Sequence, residues 1–374
     1  MKRPRCTLVV GPRPNLVKAA AVVHAFRQTW PEATCHVVRT QQQSFPRMDE
    51  RQLLAELDLP IHCQYHQPLW RHRRGSTIEE LTGTLQREFT AHQPDMVFVF
   101  GDVDSAVAGT RAASRAGIPV FHVEAGLRSY DATMPEERNR VEIDRTADIL
   151  FAPDPLAADV LLSEGLPRER VVLAGNTITD TLGRLFPDAG WEPTDPPYAV
   201  LTIHRESNVG SPEALRKTWS LLDVIHRHCP LTLFPLHPIT KQCLKRAGYR
   251  DIRRLHRIRV QPPQSYRAMV TLIRHARVVI SDSGGIQEET TALGVPCLTL
   301  RTNTERPLTV SRGTNILVGT RPSLLTQHLR RLLLADIRDQ PRAAVPGWDG
   351  CAGSRIIAAV QSYWKQSAQR LRGA

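Results

Sequence analysis

The sequence predicts an α/β protein made of two Rossmann-like, doubly wound parallel-sheet domains. Short apolar, β-branched runs alternate along the chain with amphipathic stretches of helical length, the pattern of a parallel sheet with crossover helices. That alternation restarts after the segment richest in Pro, Asp and Gly, PDAGWEPTDPP at 187–197. Glycines and polar residues collect just past the predicted strands, where ligands bind in open α/β sheets. At 374 residues the chain suffices for two ordinary cores.

The elements follow in order. Thr7–Val10 reads as a buried strand, Gly11–Asn15 as its turn, and Leu16–Gln28 as a helix with an apolar stripe of Val17, Ala20, Ala21, His24 and Ala25. Cys35–Arg39 is the next strand. Gln41–Arg74 is polar and poorly periodic, with glutamine and arginine clusters, and is expected to be a surface or ligand-facing loop. Thr77–His92 is a helix, Met96–Phe100 a very apolar strand ending in Gly101-Asp102, and Ala106–Ala116 a helix. Val120–Val123 is a strand leading into Glu124-Ala125-Gly126. Glu136–Asp148 is a helix entered through Pro135, a residue suited to a first helical position. Ile149–Ala152, Pro155–Ser163 and Val171–Ala174 continue the alternation. The second series holds strands at Tyr198–Ile203, Leu231–Leu236, Ile258–Val260, Val278–Ile280 and Cys297–Leu300. Its helices are Pro212–His228, Thr240–Ala247, Tyr266–His275 and Ile286–Leu293, and an amphipathic helix, Arg355–Arg372, ends the chain. The expected division is 1–183, a linker at 184–197, 198–352, and a C-terminal helix, 353–374, packing back on the first domain.

Composition narrows the partners. A net charge of +12, almost all arginine, favours acidic ligands: nucleic acid, anionic membrane or phosphorylated small molecules. The arginines are dispersed, without zinc-finger spacing, an RNP-type aromatic cluster or a basic helical array, so nucleic acid is not indicated. No apolar run approaches the ~18 residues of a membrane span. Seven dispersed cysteines without a CxxC point to reduced thiols and a cytoplasmic setting. Neither GxGxxG nor a Walker A motif follows any strand, so no dinucleotide cofactor is called for, and no metal site is indicated.

The candidate chemistry sits at predicted strand ends. Ser283-Gly284-Gly285 at the mouth of a helix is an anion turn: glycines let a ligand approach the backbone, and unpaired N–H groups attract phosphate. Arg13 and Lys18, Asp102, Glu124, His204-Arg205 and His237 occupy other strand ends. Asp102 is read equally well as a helix cap, as are Asp104 and Ser105. Glu136 and Glu137 are favoured by a helix dipole in any case. Glu124, between Val123 and Ala125-Gly126, has no such simple structural explanation.

GPRPNLVK (11–18), GDVDSAVAG (101–109), HVEAGLRS (122–129), MPEERNR (134–140), GNTITDTL (175–182), HRESNVG (204–210), SDSGGIQEE (281–289) and ERPLTVSRGTNILVGT (305–320) resemble the non-hydrolysing UDP-N-acetylglucosamine 2-epimerases. The resemblance spans nearly the whole chain, in order. It implies a GT-B-like fold with the active site in an interdomain cleft. It also implies interconversion of UDP-GlcNAc and UDP-ManNAc without a redox cofactor, a UDP-sugar and UDP as ligands, a homodimer, and a place in envelope or polysaccharide sugar supply. The C2–H of such a sugar is a poor acid. Inversion without redox can expel UDP from C1 while a base removes the C2 proton, giving a glycal, then reverse both steps from the other face. Carried over by position, Asp102, Glu124 and Glu136 become the acid/base carboxylates, and His204 the histidine assisting UDP departure. Arg13, Lys18, Ser283, Gly284 and Gly285 would hold the diphosphate, Glu289 the ribose hydroxyls, and Gln264 would lie near uracil. Arg306 is implied as a sugar or phosphate contact, and Arg128, Arg140 and Met269 as further substrate contacts.

The chain departs from the family at Pro12 and Asn15-Leu16 in the first turn. Asp104, in place of a threonine-rich run, is another departure, and could raise a neighbouring carboxyl's pKa or recognise a different sugar substituent. Gln41–Arg74 only faintly resembles the segment some members use for allosteric UDP-GlcNAc. The alternatives are therefore a 2-epimerase of a modified UDP-sugar, such as a 2,3-diacetamido uronic acid, a GT-B glycosyltransferase, and a non-catalytic nucleotide-sugar binder.

Overall fold

The computed structural model describes residues 3–41, 50–66, 74–187, 190, 192–248, 252–334 and 344–373. Most of the glutamine and arginine clusters of Gln41–Arg74, and parts of the proline-rich segment, lie outside the described residues. The chain divides into two compact units. One comprises Met1–Ser44, Leu54–Leu185 and Pro346–Ala374; the other comprises Phe45–Leu53 and Phe186–Val345.

The first half of the chain runs β1 (Arg5–Val10), α1 (Arg13–Thr29), β2 (Thr34–Gln41), α2 (Glu50–Leu57), β3 (Cys63–His66), α3 (Arg74–His92) and β4 (Met96–Phe100). It continues with α4 (Asp104–Arg115), β5 (Val120–Val123), α5 (Pro135–Thr146), β6 (Ile149–Ala152), α6 (Pro155–Ser163), β7 (Val171–Leu173) and α7 (Thr177–Leu185). Its strands form one parallel sheet in the order β3-β2-β1-β4-β5-β6-β7. β4 is buried at every residue, which explains its unbroken apolar sequence: helices cover both faces of a central parallel strand, so no solvent side remains to alternate. The core gathers Val9, Val97 and Val99 of the sheet with Leu81, Leu85 and Phe89 of α3 and the alanine face of α4.

The second series is β8 (Ala199–Thr202), α8 (Glu206–Val209), α9 (Pro212–His228), β9 (Thr232–Pro235), α10 (Pro238–Arg246), β10 (Ile258–Gln261), α11 (Tyr266–Arg274) and β11 (Val278–Ser281). It closes with α12 (Gly284–Leu293), β12 (Cys297–Thr299), α13 (Pro307–Ser311), β13 (Asn315–Leu317), α14 (Pro322–Leu334) and α15 (Ala352–Gly373). The second sheet is parallel too, ordered β10-β9-β8-β11-β12-β13. Serine caps start its helices where the sequence breaks into polar residues: Ser211 accepts from the N–H of Ala214 at 3.1 Å, and Ser265 from Ala268 at 3.2 Å.

Both sheets reverse direction beside their first strand, between β1 and β4 and between β8 and β11. Such switch points open a crevice beyond the carboxyl ends of the strands. The first is closed by Asn15, whose Nδ2 donates to Phe100 O at 2.7 Å, and by Gly11, where a Cβ would stand 2.2 Å from Ser105 Oγ.

α15 belongs to the first unit. Ala352 and Gly353 donate their N–H groups to the Asp180 carboxylate at 3.1 and 2.7 Å, and Tyr363 meets Phe121 edge-on at 5.2 Å. A Cβ on Gly353 would lie 2.8 Å from Ala21 O, so this glycine permits the close crossing of α1 and α15. Within 184–197, Glu192 and Thr194 donate their N–H groups to the carbonyls of Arg274 and His275 at the end of α11.

One expectation is corrected. The loop expected over Gln41–Arg74 contains α2 and β3, and α3 begins at Arg74. α2 carries Leu53, Leu54, Ala55 and Leu57 among polar residues, and β3 is a short edge strand with no β-branched residue. Pairing with β2, from Val38 to Gln41, supplies the order that β3's own sequence does not advertise. α7, α8, α13, β13 and α14 are also elements the sequence pattern did not delimit.

Candidate active site

In the first unit the candidate residues surround Gly101. Lys18 of α1 and Glu124 past β5 form a buried ion pair. Gly101 has φ +63°, and a Cβ there would lie 3.0 Å from Glu124 Oε2 and 3.4 Å from Lys18 Nζ. Glycine is thus required twice, by conformation and by room. Glu124 itself has φ +75°, costing roughly 1–3 kcal/mol for a residue with a side chain. The neighbourhood over-determines that turn: Glu124 and Ala125 both donate to Phe151 O, and Gly126 N donates to Asp144 at 3.2 Å.

Asp102 follows Gly101 directly. Its Oδ2 accepts from Arg140 Nη2 at 2.5 Å, and Arg140 Nη1 donates to Glu137 at 2.7 Å. Glu137 also accepts from the N–H and hydroxyl of Ser129 at 2.9 and 2.8 Å. Burial alone would raise the Glu137 carboxyl, but these bonds and Arg140 hold it below its ordinary value. Arg140 is therefore a strut that fixes Asp102. Glu136 stands in the first turn of α5, half-buried, and Arg13 in the first turn of α1. Asp104 accepts from Asn139 at 3.2 Å.

Arg128, expected as a substrate contact, is enclosed by two acids. Its side chain is 1% exposed, with Asp144 at 2.8 Å and both Glu164 oxygens at 2.8 Å. Burial lowers its pKa, but the pairs with Glu164 and Asp144 outweigh that and raise it above the ordinary arginine value. In this structure it ties the HVEAGLR turn to α5 and α6. His122 completes the support: Nδ1 lies 2.7 Å from Asp144, and Nε2 2.9 Å from Gly101 O.

In the second unit Asp282 organises the switch point. Fully buried, it accepts from the backbone N–H groups of His204 and Arg205 (2.9 Å to Arg205) and from Asn208 Nδ2 at 2.9 Å. His204 Nδ1 lies 3.2 Å from Asp282 Oδ1, and the His204 and His237 rings are 5.3 Å apart. Burial, then His204, pushes His237 down to about 4, so it is neutral at pH 7.

α12 begins at this point. Its N-cap, Ser283, makes no side-chain cap bond, so first-turn N–H groups are not consumed by the serine hydroxyl. A Cβ on Gly285 would have Ser283 Oγ at 4.0 Å as its nearest neighbour, whereas one on Gly284 would lie 2.8 Å from Arg306 Nη1 and 2.9 Å from Glu305 Oε1. Arg306 therefore lies against the first turn, bound by Glu288 at 2.9 Å and by Glu305. Glu305 also pairs with Arg301 at 2.6 Å. Glu289 is buried in α12. Gln264 sits before α11, donating to Pro262 O at 2.7 Å, and Met269 lies within α11.

The structure thus brings Lys18, Asp102, Glu124 and Arg140 into one cluster, and His204, Ser283, Gly284, Gly285 and Arg306 into another. Sequence reasoning read Glu137 only as a helix-dipole acid and missed the supporting roles of Asp144, Asp282 and Glu305. Each lies within or near a quoted motif, and the usable signal was an acid placed among residues that must be buried.

Two doubly wound parallel sheets, each with polar and charged side chains gathered at its switch point, define an α/β protein of the class that binds ligands beyond the carboxyl ends of its strands. The sequence profile of UDP-N-acetylglucosamine 2-epimerase matches residues 25–361, and the chain belongs to that family. The UDP-N-acetylglucosamine 2-epimerase of Methanocaldococcus jannaschii is 34% identical over 94% of this chain and 98% of its own. The crystal structure of the M. jannaschii enzyme in complex with UDP-GlcNAc and UDP superposes with a TM-score of 0.83 at 32% identity, covering 96% of this chain and 99% of the other. The UDP-2,3-diacetamido-2,3-dideoxy-D-glucuronate 2-epimerase of Pseudomonas aeruginosa is 31% identical over 88% of this chain and 93% of its own. The fold class is accordingly GT-B-like. Among the described residues no helix is long and apolar enough to cross a membrane.

Proposed function

We propose that this protein interconverts UDP-GlcNAc and UDP-ManNAc by eliminating UDP and adding it back, without a redox cofactor. The observation that supports this most is the arrangement around Gly101. Two carboxylates, Asp102 and Glu124, flank one glycine, and each is paired with its own cation. An inversion that removes a proton from one face and returns one to the other needs more than one acid/base group.

In the forward direction a carboxylate takes the C2 proton, the C2–H electron pair forms the C1=C2 bond, and the C1–O bond breaks, releasing UDP. Addition of UDP to C1 and of a proton to C2 from the opposite face completes the inversion. Asp102, Glu124 and Glu136 are the proposed acid/base groups. His204 assists the departing phosphate, and Asp282 orients His204. The charge that develops on UDP is met by the N-terminus of α12 at Ser283-Gly284-Gly285, with Arg13 and Arg306 as cations. Glu289 takes the ribose hydroxyls, and Gln264 and Met269 the uracil side. The reading includes a homodimer in the cytoplasm.

Incubation with UDP-GlcNAc alone in deuterated water tests this reading. Deuterium at C2 of both epimers supports it. UDP release only with an added acceptor would mark a glycosyltransferase, and UDP binding without exchange on any UDP-N-acetylhexosamine would mark a binder. Exchange on a 2,3-diacetamido uronate nucleotide, but not on UDP-GlcNAc, would transfer the reaction to the modified sugar.

A further inference from the structure

The net charge of +12 is not absorbed by the proposed chemistry, and it is unevenly placed. Arginines run through the whole chain, but acids do not. Between Asp223 and Asp282 a single acid, Asp251, stands against twelve Lys and Arg, and the rest of the chain is close to neutral. α14 adds Arg330 and Arg331 and contains no acid.

The fold gathers part of this excess on one face of the second unit. α9 and α14 bury their apolar sides in one core, through Leu221, Leu222 and Ile225 and through Leu325, Leu329 and Leu332. α9 ends just before β9 begins, and Arg277, just before β11, donates Nε to Leu332 O at 2.9 Å. Both helices therefore end at the amino side of the sheet. There Arg257 Nη1 donates to Arg227 O at 3.4 Å, and the His226 and His256 rings meet edge-on at 4.6 Å. Burial lowers the pKa of His226 and of His228; His256 and Arg257 depress the first further, Arg330 and Arg227 the second. Asp223 offsets Arg227 at 2.5 Å. Arg257, Arg259 and Arg330 are exposed, and none of the three pairs with an acid among the described residues.

Helix dipoles favour cations in the last turns of α9 and α14, but Arg257 and Arg259 lie on the edge strand β10 and its approach. Edge protection asks for charge, not for one sign repeated across two helices and a strand. Leu334, 86% exposed, stands one turn beyond Arg330 on the same side of α14. An exposed leucine beside clustered arginines suits a bilayer interface: cations meet headgroup phosphates while the apolar side chain enters the boundary. A nucleic-acid surface offers aromatic platforms or a projecting helix instead. Among the described residues the one large exposed aromatic is Tyr130, in the other unit.

We infer that this face of the second unit docks on an anionic phospholipid surface, with Arg227, Arg257, Arg259 and Arg330 against the headgroups. The turn at Ser283 follows the carboxyl end of β11, at the opposite end of the same sheet, so docking leaves it uncovered by the bilayer.

The test sediments the full chain with vesicles of phosphatidylcholine containing about 30% phosphatidylglycerol, at about 0.1 M salt. The expected result is saturable binding that is absent on phosphatidylcholine alone and released at about 0.5 M salt. Each cation near such a surface is worth about fivefold in partition, so Arg257→Gln, Arg259→Gln and Arg330→Gln combined should lower it about a hundredfold. The melting temperature should not change, because all three side chains are exposed. Arg87→Gln, Arg145→Gln and Arg168→Gln combined remove the same charge from exposed positions of the first unit, and should leave partition within about threefold. The inference is overturned if the anionic vesicles are not bound, or if both triple variants lose partition equally. Retention of duplex DNA, but not of the vesicles, at the same salt would overturn it in favour of a nucleic-acid surface.

Discussion

His204 Nδ1 lies 3.2 Å from Oδ1 of Asp282, a carboxylate that is wholly buried and also accepts the backbone N–H groups of His204 and Arg205. One acid therefore fixes both the ring and the main chain of the proposed phosphate-side histidine. It works across the junction of β8 and β11, beside the first turn of α12, which the Ser283 hydroxyl does not cap.

Asp282→Asn keeps the shape but loses the acceptor-only carboxylate, so at least one of its N–H partners must face an amide. A loss of about 1–3 kcal/mol in stability is expected, read by denaturant unfolding. C2 exchange should fall by at least tenfold through misplacement of His204. His204→Ala should cost about 10²–10⁴ in rate with little change in stability, since its side chain is 37% exposed.

The Lys18–Glu124 pair separates stability from chemistry. Glu124→Gln leaves the Lys18 ammonium buried without its carboxylate, and breaking a buried pair this way costs up to about 3–5 kcal/mol. Exchange at C2 should fall by about 10²–10⁴. Lys18→Met combined with Glu124→Gln should recover much of the stability and none of the exchange. A double variant that regained activity would remove Glu124 from the acid/base set.

The two glycines of α12 should respond in opposite ways. Gly285→Ala places its methyl in open space and gains up to about 1 kcal/mol of helix propensity. It should nevertheless weaken UDP binding severalfold in calorimetry, because the methyl stands where the diphosphate would approach. Gly284→Ala drives a methyl against Arg306 and Glu305 and should lower the melting temperature.

Two groups contribute to the acid side of the stability curve. His237 has a folded pKa of about 4, below its ordinary 6.5, mainly through burial. The unfolded chain therefore takes up the proton first. Stability from this group is complete above pH 6.5 and is lost as pH falls toward 4, with a slope of at most about 1.4 kcal/mol per pH unit. His237→Gln should flatten that window in pH-dependent unfolding. Asp144 is held below its ordinary value: burial opposes this, but His122 and Arg128 prevail. Its contribution is present above the unfolded carboxyl range and is lost as pH falls through its lowered folded value. Asp144→Asn should thus remove part of the transition below pH 4.

Strand and helix alternation was legible because a strand buried on both faces, such as Met96–Phe100, must be continuously apolar. The turn at Ser283-Gly284-Gly285 was legible because the packing of Arg306 and Glu305 leaves no room for a side chain at its first glycine. β3 was not legible, since an edge strand draws its order from its neighbour rather than from its own residues. Local sequence likewise could not distinguish Arg128, enclosed by Asp144 and Glu164, from an arginine facing a ligand.

The sequence by itself determined the fold class, the family motifs and the residue types placed beyond the strands, because hydrophobic period and backbone freedom act over a few neighbouring residues. Only the tertiary structure decided which acid meets which base. Lys18 with Glu124, Asp102 with Arg140 and His36 with Glu88 are joined across 106, 38 and 52 residues, through strand register and helix packing that no local pattern encodes.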